Sequence, residues 1–156
     1  MAVARFYHLT RDPPEALLPG LITKAQEIGL TVALRGTERD RMADLDLRLW
    51  AGEGFLPHGL AGGPHDARQP CLLVWENTPA PDLPNRPGCL IALDGAEVAA
   101  DEARGLERLC VVFDGQDEAA LARARAQWRD LTGAGIAAEY WSREDGRWAC
   151  KARHPK

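Results

Sequence analysis

Residues 30–50, LTVALRGTERDRMADLDLRLW, decide the fold class. Leu30 to Leu34 is an apolar run of strand length, and Gly36 follows it. Thr37 is placed to cap a helix, and Glu38 and Asp40 suit the positive end of that helix. Met42, Leu45 and Leu49 recur at helical spacing and form one apolar face, and Trp50 ends the run. A short apolar strand feeding an amphipathic helix through a tight connection is the repeating piece of an α/β domain with a parallel sheet.

The flanking segments extend the same pattern. Val3 to Leu9 reads as a first strand, with Phe6 and Tyr7 facing opposite ways. Asp12 is a cap candidate for a helix with Pro13 and Pro14 in its first positions, where a missing N–H costs nothing. That helix is predicted to run to Ile28 and stop at Gly29, with a kink or late start at Pro19-Gly20. Residues 51–69 hold five glycines and two prolines and read as a long loop, with an extended piece at Phe55 to Pro57. Strands are expected at Cys71–Trp75, Cys89–Leu93 and Leu109–Phe113, with a proline-rich surface loop at Glu76–Gly88 and a short helix at Val98–Arg104. Ile136–Ser142 and Arg147–Ala152 read as a closing hairpin around Glu144-Asp145-Gly146. With no internal repeat and no linker, residues 1–156 are expected to form a single α/β domain. Its predicted architecture is a three-layer Rossmann-like sandwich, a mostly parallel sheet with helices on both faces and a C-terminal hairpin.

Asp117 to Leu131, DEAALARARAQWRDL, carries the most informative surface. Asp117 caps a helix whose stripe is Leu121, Ala124, Trp128 and Leu131, and Gly133 and Gly135 lie near its end. Arg125 and Arg129 stand four apart beside that stripe, with Trp128 three from Arg125. Ala119 to Arg129 holds three arginines and no acid in a chain of net charge −4. On an acidic protein that pattern suits a small acidic partner better than a long polyanion. The plainer reading is a core helix with a solvated arginine edge. Trp50, Phe55, Leu56 and Pro57 likewise mark either local loop packing or a protein-binding surface.

Other chemistry is weakly supported. There is no G-x-x-x-x-G-K-[ST] and no G-x-G-x-x-G after a strand, so neither phosphate cradle is encoded. Asp101-Glu102-Ala103 reads as a solvated helix start. His58, His65 and Asp66 share a loop, but their spacing matches no metal-ligand pattern, and no metal or other cofactor is expected. Cys71, Cys89, Cys110 and Cys150 are far apart and read as buried reduced thiols of a cytoplasmic protein. No apolar run approaches a membrane span, and the start MAVARFYHL is too short and polar for a signal peptide. Asp94 and Asp114 each end a strand, where α/β folds place ligand sites. Each also precedes a glycine, so turn chemistry explains them first.

Taken together, the motifs resemble the chi subunit family of bacterial DNA polymerase III. The residues that carry the likeness are Phe6-Tyr7, Leu49-Trp50, Phe55-Leu56-Pro57-His58 followed by Leu60-Ala61-Gly62, and Ala124-Arg125…Trp128-Arg129 running into Ala134-Gly135-Ile136. The resemblance implies a non-catalytic adaptor within a DNA-directed DNA polymerase holoenzyme, with a fold like nucleotide-binding domains but no nucleotide. It implies that the protein links the clamp loader, through the psi subunit or another component, to single-stranded DNA-binding protein and so to DNA indirectly; separately, the net charge of −4 predicts only weak direct DNA contact. That protein's C-terminal tail is acidic and ends in phenylalanine. By the same resemblance Arg125 takes the tail's α-carboxylate, Trp128 meets its ring, Arg129 meets its aspartates, and Trp50, Phe55, Leu56, Pro57 and His58 face psi. Leu121 stands where relatives often carry lysine, which implies weaker and less salt-sensitive binding, or more reliance on the ring pocket. The Pro19-Gly20 break and the final hairpin also depart from the family pattern. A competing expectation is an α/β enzyme or nucleotide-binding protein that uses Asp94 and Asp114.

Overall fold

The computed structural model describes residues 3–52 and 56–155. Among these described residues eight strands form one sheet: β1 (Val3–Leu9), β2 (Val32–Arg35), β3 (Gly59–Leu60), β4 (Cys71–Val74), β5 (Cys89–Ala92), β6 (Arg108–Asp114), β7 (Ala137–Glu144) and β8 (Arg147–His154). Their order across the sheet is β3-β4-β2-β5-β6-β1-β7-β8, and every pair is parallel except β7 with β8. The α-helices among the described residues cover it: α1 (Pro14–Glu27), α2 (Arg39–Ala51), α3 (Ala100–Gly105) and α4 (Glu118–Gly133).

Alternation along the strands divides the core in two. Leu18, Ile22 and Ala25 of α1 and Met42, Leu45 and Leu49 of α2 pack with Leu34, Leu73, Ile91 and Val112 on one face. Ala103 of α3 and Ala124 and Leu131 of α4 pack with Phe6, Ala33, Leu90 and Val111 on the other. Phe6 and Tyr7 take opposite faces, as the period of a strand requires. The expected three-layer α/β architecture is therefore the one observed.

Local differences have identifiable causes. The first helix takes Pro13, not Asp12, as its N-cap, and it runs unbroken through Pro19 and Gly20. Proline there removes one hydrogen bond, but buried Leu18, Leu21, Ile22 and Ala25 hold the helix on the sheet. Thr37 does not cap α2; Glu38 occupies that position without a side-chain cap bond. The long loop contributes a two-residue edge strand, β3, beside β4. Cys71, Cys89 and Cys110 are buried and unpaired as expected, and burial pushes the Cys71 thiol up to about 12. Cys150 is the exception, because it lies half-buried on the outermost strand. The hairpin turns through Asp145 and Gly146, both with positive φ (52° and 78°), which suits a two-residue turn. No described helix is long and apolar enough to cross a membrane.

Candidate functional site: the α4 face and its ring cluster

Asp117 fixes where α4 begins. Its carboxylate accepts from the Ala119 and Ala120 N–H groups at 2.9 and 3.4 Å. The helix is then clamped by Ala124 and Leu131, both buried. Leu121 and Trp128 pack partly buried against the same core, and Arg125 and Arg129 project exposed beside them. Neither arginine side chain has an ion pair or hydrogen bond among the described residues.

Beneath α4 lies a cluster of rings. Trp128 meets Phe6 edge to face at 5.4 Å and Tyr140 at 6.3 Å. His8 contacts Phe113 at 5.4 Å and Tyr140 at 5.9 Å, and its Nδ1 lies 2.6 Å from the Tyr140 hydroxyl. The backbone at Gly115 passes so close that a Cβ there would sit 1.9 Å from the His8 ring. Burial holds the His8 pKa below its ordinary value; Asp114 opposes this and Arg125 adds to it. Burial also raises the Tyr140 pKa, and Arg125 opposes that rise. Arg125 is thus electrostatically coupled to both ends of the His8–Tyr140 pair. A guanidinium with no protein partner, set beside a ring cluster, can fork a carboxylate while the rings receive an apolar group.

His8, Phe113 and Tyr140 escaped the sequence reading. Strand period places Phe6 and His8 on one face, but only the sheet order shows that β6 and β7 flank them.

The second group of expected site residues lies around the end of α2. Trp50 is half exposed and stacks on His58 at 4.1 Å, with the ring planes 29° apart. His58 is 4% exposed. Its ring nitrogens lie 2.6 Å from the Leu56 carbonyl and 3.0 Å from the Asp46 carbonyl. His58 therefore pins the loop to α2 beneath Trp50 and is not presented to solvent. Leu56 packs partly buried on the core, and Pro57 is half-buried. Phe55 lies outside the described residues. Leu47, three residues before Trp50 and 67% exposed, extends the apolar surface and was not singled out from sequence.

Asp94 and Asp114 do line one crevice, of about 550 Å³, at the carboxyl ends of β1, β5 and β6. Both carboxylates are already engaged there. Asp94 pairs with Arg41 at 3.4 Å and holds a left-handed turn (φ 57°), and Asp114 accepts from the Gln116 N–H at 2.9 Å. Asp66 likewise closes a turn, accepting from Gly62 and Gly63. No group of three His, Cys, Asp or Glu among the described residues is placed to hold a metal. Glu102, expected to be solvated, is instead in a buried ion pair with Arg35.

Residues 1–139 match a family model described as DNA polymerase III chi subunit, HolC. No curated protein matches the chain.

Proposed function

The chain belongs to the DNA polymerase III chi subunit family, whose role is that of a replication accessory subunit, and from that premise we propose that it is a non-catalytic adaptor with two separate protein-binding faces. One face is α4 with its ring cluster, and it takes the acidic C-terminal tail of single-stranded DNA-binding protein. Arg125 receives the terminal carboxylate as a forked pair of hydrogen bonds. Trp128 and the rings below it receive the terminal phenylalanine, and Arg129 meets the tail's aspartates. Leu121 adds apolar contact on the same stripe. The observation that carries this reading is Arg125, exposed and without a protein partner, beside the His8–Tyr140 pair.

The other face is Trp50 with Leu47, Leu56 and Pro57, and it docks psi or another clamp-loader component. Apolar side chains exposed at i and i+3 on one helix form a recognition anchor of ordinary kind. His58 serves this face indirectly by seating Trp50. The two faces lie on opposite sides of the sheet, since α2 and α4 pack on opposite cores. One molecule can therefore hold both partners at once.

The test is a titration with a peptide ending in Asp-Asp-Ile-Pro-Phe, beside the same peptide amidated at its C-terminus. Binding lost on amidation supports carboxylate capture. Equal binding of both peptides, or of neither, rejects it.

A second reading, a small ligand in the crevice that unites Asp94 and Asp114, rests on that cavity alone. It predicts saturable thermal stabilisation by a nucleotide or metal that Asp114→Ala abolishes. The absence of any such shift leaves the two aspartates as turn residues.

A further inference from the structure

The family match ends at Glu139, and the chain continues into the rest of β7 and all of β8. This continuation reverses the local charge. Residues 140–156 hold five of the 19 basic residues and two of the 23 acids, a net of +3 in a chain whose net is −4.

Register shows how the hairpin presents these residues. Paired residues of neighbouring strands share a face, so Tyr7 and Trp141 stand side by side, as do Arg143 and Trp148. Trp148 meets Tyr7 edge to face at 5.4 Å, which places all four on one side of the sheet. That side is opposite α4. α1 and α2, the helices on that side, pack chiefly on β2, β3, β4 and β6, away from the β7–β8 end. The Arg143 guanidinium lies 5.4 Å from the Trp148 ring centroid. Arg5 and Arg153 flank Glu139 at 3.3 and 3.6 Å, two cations around one acid, and Arg153 is well exposed. Asp12 meets Arg143 at 3.4 Å and adds a second acid to this surface.

A sheet face with part-exposed tryptophans interleaved with arginines offers stacking and phosphate contacts together, which is the chemistry of single-strand platforms. A folded acidic protein would find the cations but no use for the ring faces. A duplex would find the cations but would keep its bases stacked away from the rings. We propose that the β1–β7–β8 face binds single-stranded nucleic acid. Bases stack on Trp148 and Trp141, and Arg143, Arg153 and Arg5 track the phosphates. The site is independent of the tail reading, because the tail would lie on the α4 side of the same strands.

The test uses the full chain and a fluorescein-labelled oligothymidylate of about 20 nucleotides, followed by anisotropy in low salt. The expected result is saturable binding with quenched tryptophan emission, weakening with salt by a log–log slope of roughly −0.7 per phosphate contact. The Arg143→Glu/Arg153→Glu double variant loses about tenfold or more in affinity. Trp148→Ala loses as much, while Trp148→Phe keeps most of the binding. None of these changes the tail-peptide titration. No binding at low salt, or unchanged affinity in the double arginine variant, overturns the proposal. Equal competition by duplex DNA or by polyglutamate also overturns it, by showing an unspecific cationic patch. The arginine variants sit on exposed positions and decide the matter even if Trp148→Ala fails to fold.

Discussion

Arg35 and Glu102 form a two-pronged ion pair in the protein interior, with N–O distances of 2.8 and 2.6 Å and side chains 1% and 8% exposed. Arg35 also donates to the Thr78 and Glu97 carbonyls, and Glu102 accepts from the Ala80 N–H. This pair joins the end of β2 to α3 and to the proline-rich loop. Removing one partner strands a buried charge. Glu102→Ala is expected to lower stability by about 3–5 kcal/mol in urea unfolding, and Arg35→Met combined with Glu102→Leu by much less. A single-variant loss below about 1 kcal/mol would mean that water reaches the pair.

Arg125→Ala is expected to weaken tail-peptide binding by about 1.5–3 kcal/mol, the worth of a charged hydrogen-bonded contact. Its stability should stay within about 0.5 kcal/mol of the parent, because the side chain is exposed and unpaired. Calorimetry for binding and thermal melting for stability separate the two. Unchanged affinity removes Arg125 from the site.

The Trp50→Ala/Leu47→Ala double variant is expected to weaken clamp-loader association by about 2 kcal/mol or more. Both side chains are at least half exposed, so the fold should persist. Pull-down with clamp-loader components and the tail titration are run side by side. Loss of both activities together would indicate unfolding instead of a separate face.

His8 gives a pH dependence whose sign follows from its depressed pKa. The folded state disfavours the charged ring, so the unfolded chain binds a proton more readily. The contribution is fully present above 6.5, the ordinary histidine value, and is lost as pH falls from there toward the lower folded value. His8→Leu should flatten stability across that window. Tail binding should move the other way, because carboxylates arriving at Arg125 favour the protonated ring. Affinity is therefore expected to rise as pH falls through the same window, and a His8→Leu variant that keeps this slope would exclude the residue.

The sequence made the α4 stripe legible because a capping Asp117, an apolar period and two arginines lie within one contiguous run. It also revealed the parallel sheet, through short apolar strands each leading into a helix or a long loop. It concealed what depends on sheet order. His8, Phe113 and Tyr140 come from three strands far apart in sequence, and no local pattern says that β6 and β7 flank β1. Glu102 reads as solvated for the same reason, since its partner Arg35 lies in β2. The caps at Thr37 and Asp12 failed because Ser, Thr and Asp favour helix starts statistically, whereas tertiary packing sets the actual boundary.

The position of β1 has a consequence for how the chain is made. It is the first strand in the sequence, yet it sits between β6 and β7, paired with residues 108–114 and 137–142. During synthesis it must wait for most of the chain before either neighbour exists. Until then its apolar Phe6 and Leu9 and both its edges are uncovered, a state that invites capture by chaperones or by other nascent chains. Contacts this distant also make folding slow. A fragment ending before Arg108 lacks both of β1's partners, so truncation should abolish folding outright instead of leaving a smaller stable domain.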